Sequence, residues 1–135
     1  MSSWHVLCRS VEARASGRCE YCLMHQVLKG ATFHVEHVVP RSRGGSSELD
    51  NLAWCCPGCN LHKSDRTEAP ASGSDERVPL FNPRQDSWQM HFQWEGHHVM
   101  GRTPIGQATI SLLDLNHPRR ILIRQAEELF GFFPP

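Results

Sequence analysis

The sequence lacks a charge of one dominant sign. Its 135 residues contain 14 Lys plus Arg and 14 Asp plus Glu, so the formal net charge at pH 7 is zero when His is neutral. This balance excludes a DNA coat protein held by bulk positive charge, so affinity for nucleic acid must come from a local basic patch or a bound metal. Charged residues make up only 21% of the chain, which excludes a coiled coil and a disordered acidic tail.

Long apolar runs are also missing. No stretch approaches the roughly 20 apolar residues that a membrane-spanning helix needs. The beginning of the sequence contains no apolar core of a secretory signal peptide. The sequence therefore predicts a cytoplasmic protein that has no membrane partner.

Cysteine and histidine are abundant, with six Cys and nine His in the chain. Without a secretory signal, this composition indicates metal binding rather than disulfides. Two pairs, Cys19-x-x-Cys22 and Cys56-x-x-Cys59, have the spacing with which two thiolates of one turn hold one ion. Four thiolates form a closed tetrahedral shell, so the pairs predict a structural Zn²⁺ site. Two alternatives stay open here: Cys55 in place of Cys56, and unligated cysteines in the core.

The first half of the chain has the pattern of a small mixed α and β unit. Apolar residues recur at helical spacing in a segment that starts near Ser3 and stops before Gly17. β-Branched residues predict a strand over 32–39, and a short returning strand is expected over 52–54. A short helix is expected from residue 59 or 60 to about residue 67. The unit is therefore predicted to run strand, polar loop, strand and helix.

A stretch rich in Pro, Ser and Gly, residues 68–75, predicts a loop that divides the chain. All six cysteines precede this stretch. We therefore expect a core over 1–69, which includes the N-terminal helix and the cysteine pairs. Residues 70–135 are expected to form an extension that packs on this core as one globular unit.

The extension is predicted to contain strands followed by helices. Apolar and polar residues alternate over 88–94, which predicts a half-buried strand with a partner over 98–101. Thr103 and Pro104 are typical of a helix start. Apolar residues from Leu122 onward predict a last helix. We expect packing rather than chemistry in this part of the chain. The alternative is that Arg84 and Arg102, together with the Trp and His side chains, extend a surface that binds nucleic acid.

Between the cysteine pairs lie residue types that suit phosphoryl chemistry. Glu36 and His37 stand near the predicted end of a strand, and Asn60 stands near the start of a helix. Carboxylate and amide oxygens suit Mg²⁺ or Mn²⁺, so Glu36 and Asn60 are candidate ligands of a divalent cation. Imidazole titrates near neutrality, so His37 is a candidate general base. Three basic side chains are candidate phosphate-binding groups: Arg41, Arg43 and Lys63.

Taken in order, these motifs resemble the zinc-containing HNH endonucleases. That family's pattern is Cys-x-x-Cys, then Asp or Glu followed by His-x-x-Pro-x-Ser-x-Gly-Gly, then Asn-Leu, then Cys-x-x-Cys-Asn/His-x-x-Lys. Each part is present across residues 19–63. The resemblance implies an α+β fold whose core is the ββα-metal (His-Me finger) nuclease unit with a four-cysteine zinc knuckle. It also implies phosphodiester cleavage with one divalent metal ion.

The resemblance assigns roles to individual residues. It implies that Glu36 and Asn60 hold the catalytic ion, that His37 activates the attacking water, and that Asn51 ties the loop to the hairpin and orients His37. Lys63 resembles the family's helix lysine, which lies near the phosphate or near the asparagine loop.

Two positions depart from the commoner family pattern. Position 36 is Glu rather than Asp, which lengthens the reach to the ion by one methylene. Position 60 is Asn rather than His, which makes this chain an H-N-N variant. Both changes bear on metal preference, and His62 stays an alternative ligand of the ion.

The sequence thus predicts a metal-dependent HNH endonuclease that acts on DNA, with structural Zn²⁺ and catalytic Mg²⁺ or Mn²⁺ as cofactors. RNA is an alternative substrate, and monomer and homodimer both stay open. The rival hypothesis is a non-catalytic, zinc-stabilised module that binds nucleic acid or protein. A third hypothesis, a disulfide-stapled secreted nuclease toxin, would need a signal peptide.

Overall fold

The structure is a computed structural model that describes residues 3–135, without the side chain of Lys29. Helix α1 (Trp4–Arg14) begins at the Ser3 cap, whose side chain accepts a hydrogen bond from the Val6 N–H at 3.3 Å. The chain turns after this helix at Gly17, whose φ of 73° lies in the left-handed region that glycine adopts at no steric cost. The predicted helix between Ser3 and Gly17 is therefore confirmed.

A hairpin followed by a helix forms the centre of the first half, after the single turn of α2 (Gln26–Lys29). Strands β1 (His34–His37) and β2 (Leu52–Cys55) pair in antiparallel register, with His34 opposite Cys55 and His37 opposite Leu52. Helix α3 (Pro57–Lys63) follows β2 directly. The predicted α+β class with a ββα unit is confirmed.

The boundaries of this unit differ from the predicted ones for local reasons. Strand β1 ends at His37 because the following backbone N–H groups bond to Asn51: Val38 N donates to its carbonyl and Val39 N to its side chain, each at 2.9 Å. Helix α3 begins at Pro57, earlier than predicted, because the Cys56 sulfur caps it by accepting from the Cys59 N–H at 3.4 Å. Proline is favoured at a first helical position, where no N–H partner is needed.

The predicted loop over 68–75 is partly wrong. Strand β3 (Glu68–Pro70) pairs in antiparallel register with β4 (Arg77–Pro79), so only the turn between them is a loop. The strand is stabilised by burial of Ala69, which packs with Leu80 and Ala108 in a small second cluster. Strand β3 includes residues on both sides of the predicted boundary between residues 69 and 70. The division of the chain into a core and an extension stays a prediction.

The predicted strand over 88–94 is also partly wrong. Residues Trp88–His91 form one turn of helix, α4, and only Phe92–Glu95 form a strand, β5. The alternation of apolar and polar residues predicted a strand, but two contacts fix the Trp88 side chain in the helical turn. Its ring packs 5.2 Å from the Trp94 ring, and its Nε1 donates to the Tyr21 carbonyl at 3.0 Å. The predicted partner strand β6 (His98–Gly101) is confirmed.

Two helices complete the extension: α5 (Pro104–Leu113) and α6 (Pro118–Leu129). Both have Pro in the first turn and a side-chain cap, Thr103 for α5 and His117 for α6. One hydrophobic cluster runs from Val11 in α1, through both cysteine pairs, to Leu115 after α5, so the extension packs on the ββα unit. No helix within residues 3–135 is long and apolar enough to cross a membrane.

Candidate functional site

The four cysteines of the two predicted pairs meet in the core. Their sulfur atoms all lie within 4.8 Å of one another, and all four side chains are buried. Cys22 Sγ lies 3.8 Å from Cys56 Sγ, which matches the edge of about 3.8 Å that a tetrahedron with Zn–S bonds of about 2.3 Å requires. The cluster could therefore hold a structural Zn²⁺. Cys55 is not one of the four, and its thiol donates to the Cys56 carbonyl at 3.4 Å.

Local backbone geometry presents the thiols to one another. The first pair lies on a tight turn in which Leu23 N–H donates to the Cys19 carbonyl at 2.8 Å, with Leu23 at a φ of 65°. The second pair lies at the start of α3. Burial raises the pKa of the Cys19 thiol well above its usual value, so the thiolate that zinc needs is stabilised by the cation itself.

Glu36 lies on β1 and points into the molecule, with 6% of its surface exposed. The Tyr21 hydroxyl donates to its Oε2 at 2.7 Å, and the Lys63 ammonium lies 2.6 Å from its Oε1. Burial raises the pKa of the Glu36 carboxyl, and the Lys63 charge and the Tyr21 hydroxyl oppose that rise. The close approach of the Lys63 ammonium to Oε1 makes this contact a buried ion pair.

Lys63 is itself buried. Its ammonium group donates to the Val38 carbonyl at 2.9 Å, next to the backbone that Asn51 holds. Of the two positions that the resemblance allows for this lysine, the structure places it at the asparagine loop. The Glu36 carboxylate and the Val38 carbonyl hold the ammonium inside the molecule, where the Lys63 side chain is 2% exposed.

His37 follows Glu36 at the end of β1 and is half-buried. Its Nε2 lies 2.9 Å from the Ser47 hydroxyl, and its ring stacks on the Trp4 ring at 5.8 Å between centroids with a 10° tilt. Burial lowers the pKa of His37 below 6.5, and the charge of Arg41 lowers it further. The imidazole is therefore predominantly neutral at pH 7, which is the state that a general base needs.

Asn51 ties the polar loop to the hairpin. Its amide nitrogen donates to the carbonyls of Val39 and Ser46, at 3.0 and 2.8 Å, while its amide oxygen accepts from the Val39 N–H. Gly45 is required in this loop because a Cβ there would lie 1.7 Å from the Val39 carbonyl oxygen. The loop that carries Ser47 is thus held over the end of β1, beside His37.

An open cleft of about 610 Å³ lies between the end of β1 and α3. Four of the predicted site residues line it: Glu36, His37, Arg41 and Asn60. The other two predicted phosphate-binding residues are not among its walls; Arg43 donates through Nε to the Asp65 carbonyl at 3.0 Å. His62, the alternative ligand, lines a different depression, with Gly58 and Arg119.

Several contributors to this region were not singled out from the sequence. Tyr21 is one of the two residues between Cys19 and Cys22, so its position in that motif was a usable signal. Ser47 lies in the polar loop and Trp4 on α1, and nothing in the sequence pattern linked either of them to His37. Asp65 also lines the cleft.

The comparison with known families agrees with this geometry. A family model described as HNH endonuclease matches residues 19–66. This segment is similar to the HNH endonucleases. The resemblance predicted from the motifs is thereby confirmed for these residues, and it indicates a nuclease-type function with nucleic-acid binding. Neither the curated proteins nor the solved structures contain a match to the chain.

Proposed function

We propose that this chain is a metal-dependent HNH endonuclease that hydrolyses phosphodiester bonds in DNA. The observation that carries the proposal is the single open cleft lined by Glu36, His37, Arg41 and Asn60. A carboxylate, an imidazole, an amide and a guanidinium together provide what phosphodiester hydrolysis needs, namely a cation site, a base and charge relief. The HNH match over residues 19–66 supports the same reaction.

Glu36 and Asn60 are proposed to hold one divalent cation, Mg²⁺ or Mn²⁺. Such a cation supplies charge stabilisation on the phosphate and the leaving oxygen when bound. Oε1 of Glu36 contacts the Lys63 ammonium at 2.6 Å, and a carboxylate oxygen has more than one lone pair, so it keeps acceptor capacity for a ligand. Asn60 is exposed on α3 and lines the same cleft, so its amide oxygen is proposed as the second protein ligand. Asp65 adds a second carboxylate to its wall.

His37 is proposed to accept the proton of the attacking water. We assign Nε2–H as the donor to Ser47 Oγ, which leaves the lone pair of Nδ1 for that proton. The Trp4 ring restrains the plane of the imidazole from one side. Restraint of a base by a hydrogen bond and a packed ring reduces the orientational cost of proton transfer. In this scheme Asn51 acts by holding the loop that carries Ser47.

Arg41 is proposed to contact a phosphate oxygen directly, since it lines the cleft. Arg43 uses its Nε for the Asp65 carbonyl, and its terminal nitrogens are proposed to bind a neighbouring phosphate. The buried Lys63 is proposed to act through its positive charge. Because the net charge of the chain is zero, these local charges must supply the attraction to DNA.

One observation favours the rival function, a non-catalytic zinc-stabilised module that binds nucleic acid or protein. The Glu36 carboxylate is already contacted by the Lys63 ammonium and the Tyr21 hydroxyl. In the non-catalytic module, the Lys63 ammonium stays bound to Glu36 and takes the position that a divalent cation would need. In the proposed nuclease, the cation shares the carboxylate with Lys63.

Plasmid nicking with Mg²⁺ or Mn²⁺ tests the proposal. His37→Ala is expected to lower the cleavage rate about 10²–10⁴-fold, the usual contribution of a positioned base, while DNA binding is retained. His62→Ala is the matched control, because this exposed histidine of α3 lines another depression. Equal cleavage by the parent chain and His37→Ala would contradict the assignment.

The same assay separates the remaining alternatives. Binding of DNA by the parent chain without cleavage under any divalent ion would favour the rival. A parallel incubation with single-stranded and duplex RNA decides whether DNA is the preferred substrate.

We further propose that the core, 1–69, and the extension, 70–135, form one globular unit and unfold together. We also propose that the protein acts in the cytoplasm. The Glu20–Arg84 ion pair and the Trp88–Tyr21 hydrogen bond link the extension to the cysteine turn. A single unfolding transition, seen alike by tryptophan fluorescence and far-UV circular dichroism, is the expected result.

A further inference from the structure

A buried arginine of the last helix contacts the cysteine cluster. Arg120 lies on α6 and is 5% exposed. Its Nη1 donates to Cys59 Sγ at 3.5 Å and reaches Cys56 Sγ at 4.0 Å. Its Nη2 donates to the Leu113 carbonyl at 3.1 Å, which fixes the plane of the guanidinium. One side chain of the extension is thus directed at two sulfur atoms of the core.

The second cysteine pair is shaped to admit this guanidinium. Gly58 lies between Cys56 and Cys59, and a Cβ at this position would be 2.9 Å from Arg120 Nη2. A side chain at position 58 would therefore require the guanidinium to shift from its observed position. Of the two residues between Cys56 and Cys59, the one that faces the arginine is therefore glycine, which has no side chain.

The charges of the two groups are complementary. A buried guanidinium needs a compensating negative charge. Within residues 3–135, carboxylate ion pairs are formed by other basic side chains and not by Arg120. It contacts the sulfur atoms of Cys56 and Cys59 instead, and these carry negative charge when they are deprotonated to bind a metal ion. Four thiolates around one Zn²⁺ carry an excess of negative charge, which a nearby guanidinium reduces.

We propose that Arg120 is a functional part of the zinc centre. Its charge offsets part of the negative charge of the four thiolates, and its N–H donors hold the Cys56 and Cys59 sulfurs in their binding orientation. The extension therefore completes the metal site of the core. This inference is independent of the proposed nuclease reaction and holds equally for a non-catalytic module.

The experiment compares full-length chains loaded with Zn²⁺ or Co²⁺. Zinc affinity is measured by competition with a chromophoric chelator, and the sulfur-to-cobalt charge-transfer bands are recorded. Arg120→Met should raise the zinc dissociation constant about 10–100-fold, the usual effect of losing a group that supports metal ligands. It should also move the charge-transfer bands to lower energy, because the sulfurs lose hydrogen-bond donors. Arg120→Lys, which keeps the charge, should recover part of the affinity.

Two controls separate this role from packing. Arg124→Met removes another buried arginine of α6, whose charge also acts on Cys22 and Cys59. Arg124 donates to the carbonyls of His97 and Leu115 and, among residues 3–135, to no sulfur, so this variant separates loss of a nearby charge from loss of a donor to sulfur. Arg119→Met removes an exposed arginine of the same helix. Both controls should leave the cobalt bands in place, even where Arg124→Met lowers thermal stability.

Two outcomes would overturn the proposal. One is an Arg120→Met chain that folds with parental zinc affinity and cobalt bands. The other is a loss of affinity in Arg120→Met that Arg124→Met reproduces without any band shift in either variant. If Arg120→Met does not fold, the band position of Arg120→Lys decides: a shift supports the proposal, and parental bands contradict it.

Discussion

The cysteine cluster and the cleft are two polar centres a few residues apart, and they are built in opposite ways. The four cysteines are 0–2% exposed and converge from two turns on a single point. The cleft is open, with Asn60 exposed and His37 half-buried at its wall. A closed donor set keeps its ion and stabilises the fold, whereas an open one exchanges water and substrate. The difference predicts that the metal of the first centre supports folding and that the ion of the second supports turnover.

The largest expected effect comes from the cysteine cluster. Cys59→Ser removes one of the four cysteines that could hold Zn²⁺. Binding of a structural Zn²⁺ contributes about 10–16 kcal/mol to the folding of zinc-finger peptides. We expect loss of the folded state at 25 °C, measured by far-UV circular dichroism and by zinc content per chain.

Cys55→Ser is the control, because this neighbouring buried thiol is not a member of the cluster. It should keep the zinc and the fold. Omission of Mg²⁺ and Mn²⁺ should leave the circular dichroism of the parent chain unchanged. A folded Cys59→Ser chain without zinc would remove the distinction between the two centres.

A smaller effect is expected where the two centres touch. Tyr21 lies within the first cysteine turn, and its hydroxyl donates to Glu36 in the cleft. Hydrogen bonds to charged groups contribute about 1.5–3 kcal/mol, so Tyr21→Phe should lower the Mg²⁺-dependent cleavage rate by roughly tenfold or more. Because the hydroxyl helps to hold down the pKa of Glu36, its loss should also move the acid limb of the Mg²⁺ dependence to higher pH.

The zinc content of Tyr21→Phe is the internal control and should match that of the parent chain. Loss of zinc together with activity would mean that the hydroxyl acts only on the cysteine turn. An unchanged cleavage rate and pH profile would show that Glu36 does not need this donor.

The smallest expected effect concerns the titration of His37. Its pKa is lowered from 6.5 in the folded chain, by burial first and by Arg41 second. The folded state therefore disfavours the protonated ring, so stability from this group is present above pH 6.5 and lost as the pH falls through the lowered pKa. Cleavage should follow the neutral ring, with its acid limb below pH 6.5.

Arg41→Gln removes the smaller of the two causes, so the acid limb should move upward and stay below pH 6.5. The measurement is the pH–rate profile at saturating Mg²⁺, together with the His37 ring signal in NMR titration. Arg43→Gln is the matched control, because Arg43 donates through Nε to the Asp65 carbonyl, and the charge that lowers the pKa of His37 is that of Arg41. An equal shift in both variants would contradict the specific role of Arg41.

Short-range features of the fold could be predicted because they depend on neighbours in the sequence. The Ser3 cap and the start of α3 follow from contacts within a few residues, and the order of strand, strand and helix follows from the local residue pattern of each element. Where a distant partner intervened, the prediction was wrong. Residues 88–91 have strand-like alternation but turn as a helix, because the Trp88 side chain is anchored to the distant Tyr21 carbonyl.

The sequence by itself determined which residues are available for chemistry at the two centres: four thiols at knuckle spacing, and Glu36, His37 and Asn60 between them. Tertiary structure decided how these groups are supported. The partners Tyr21 with Glu36, Ser47 with His37, and Arg120 with Cys59 are 15, 10 and 61 residues apart in the chain. Such contacts leave no periodic signal, because only the packing of separate elements brings their atoms within hydrogen-bond distance.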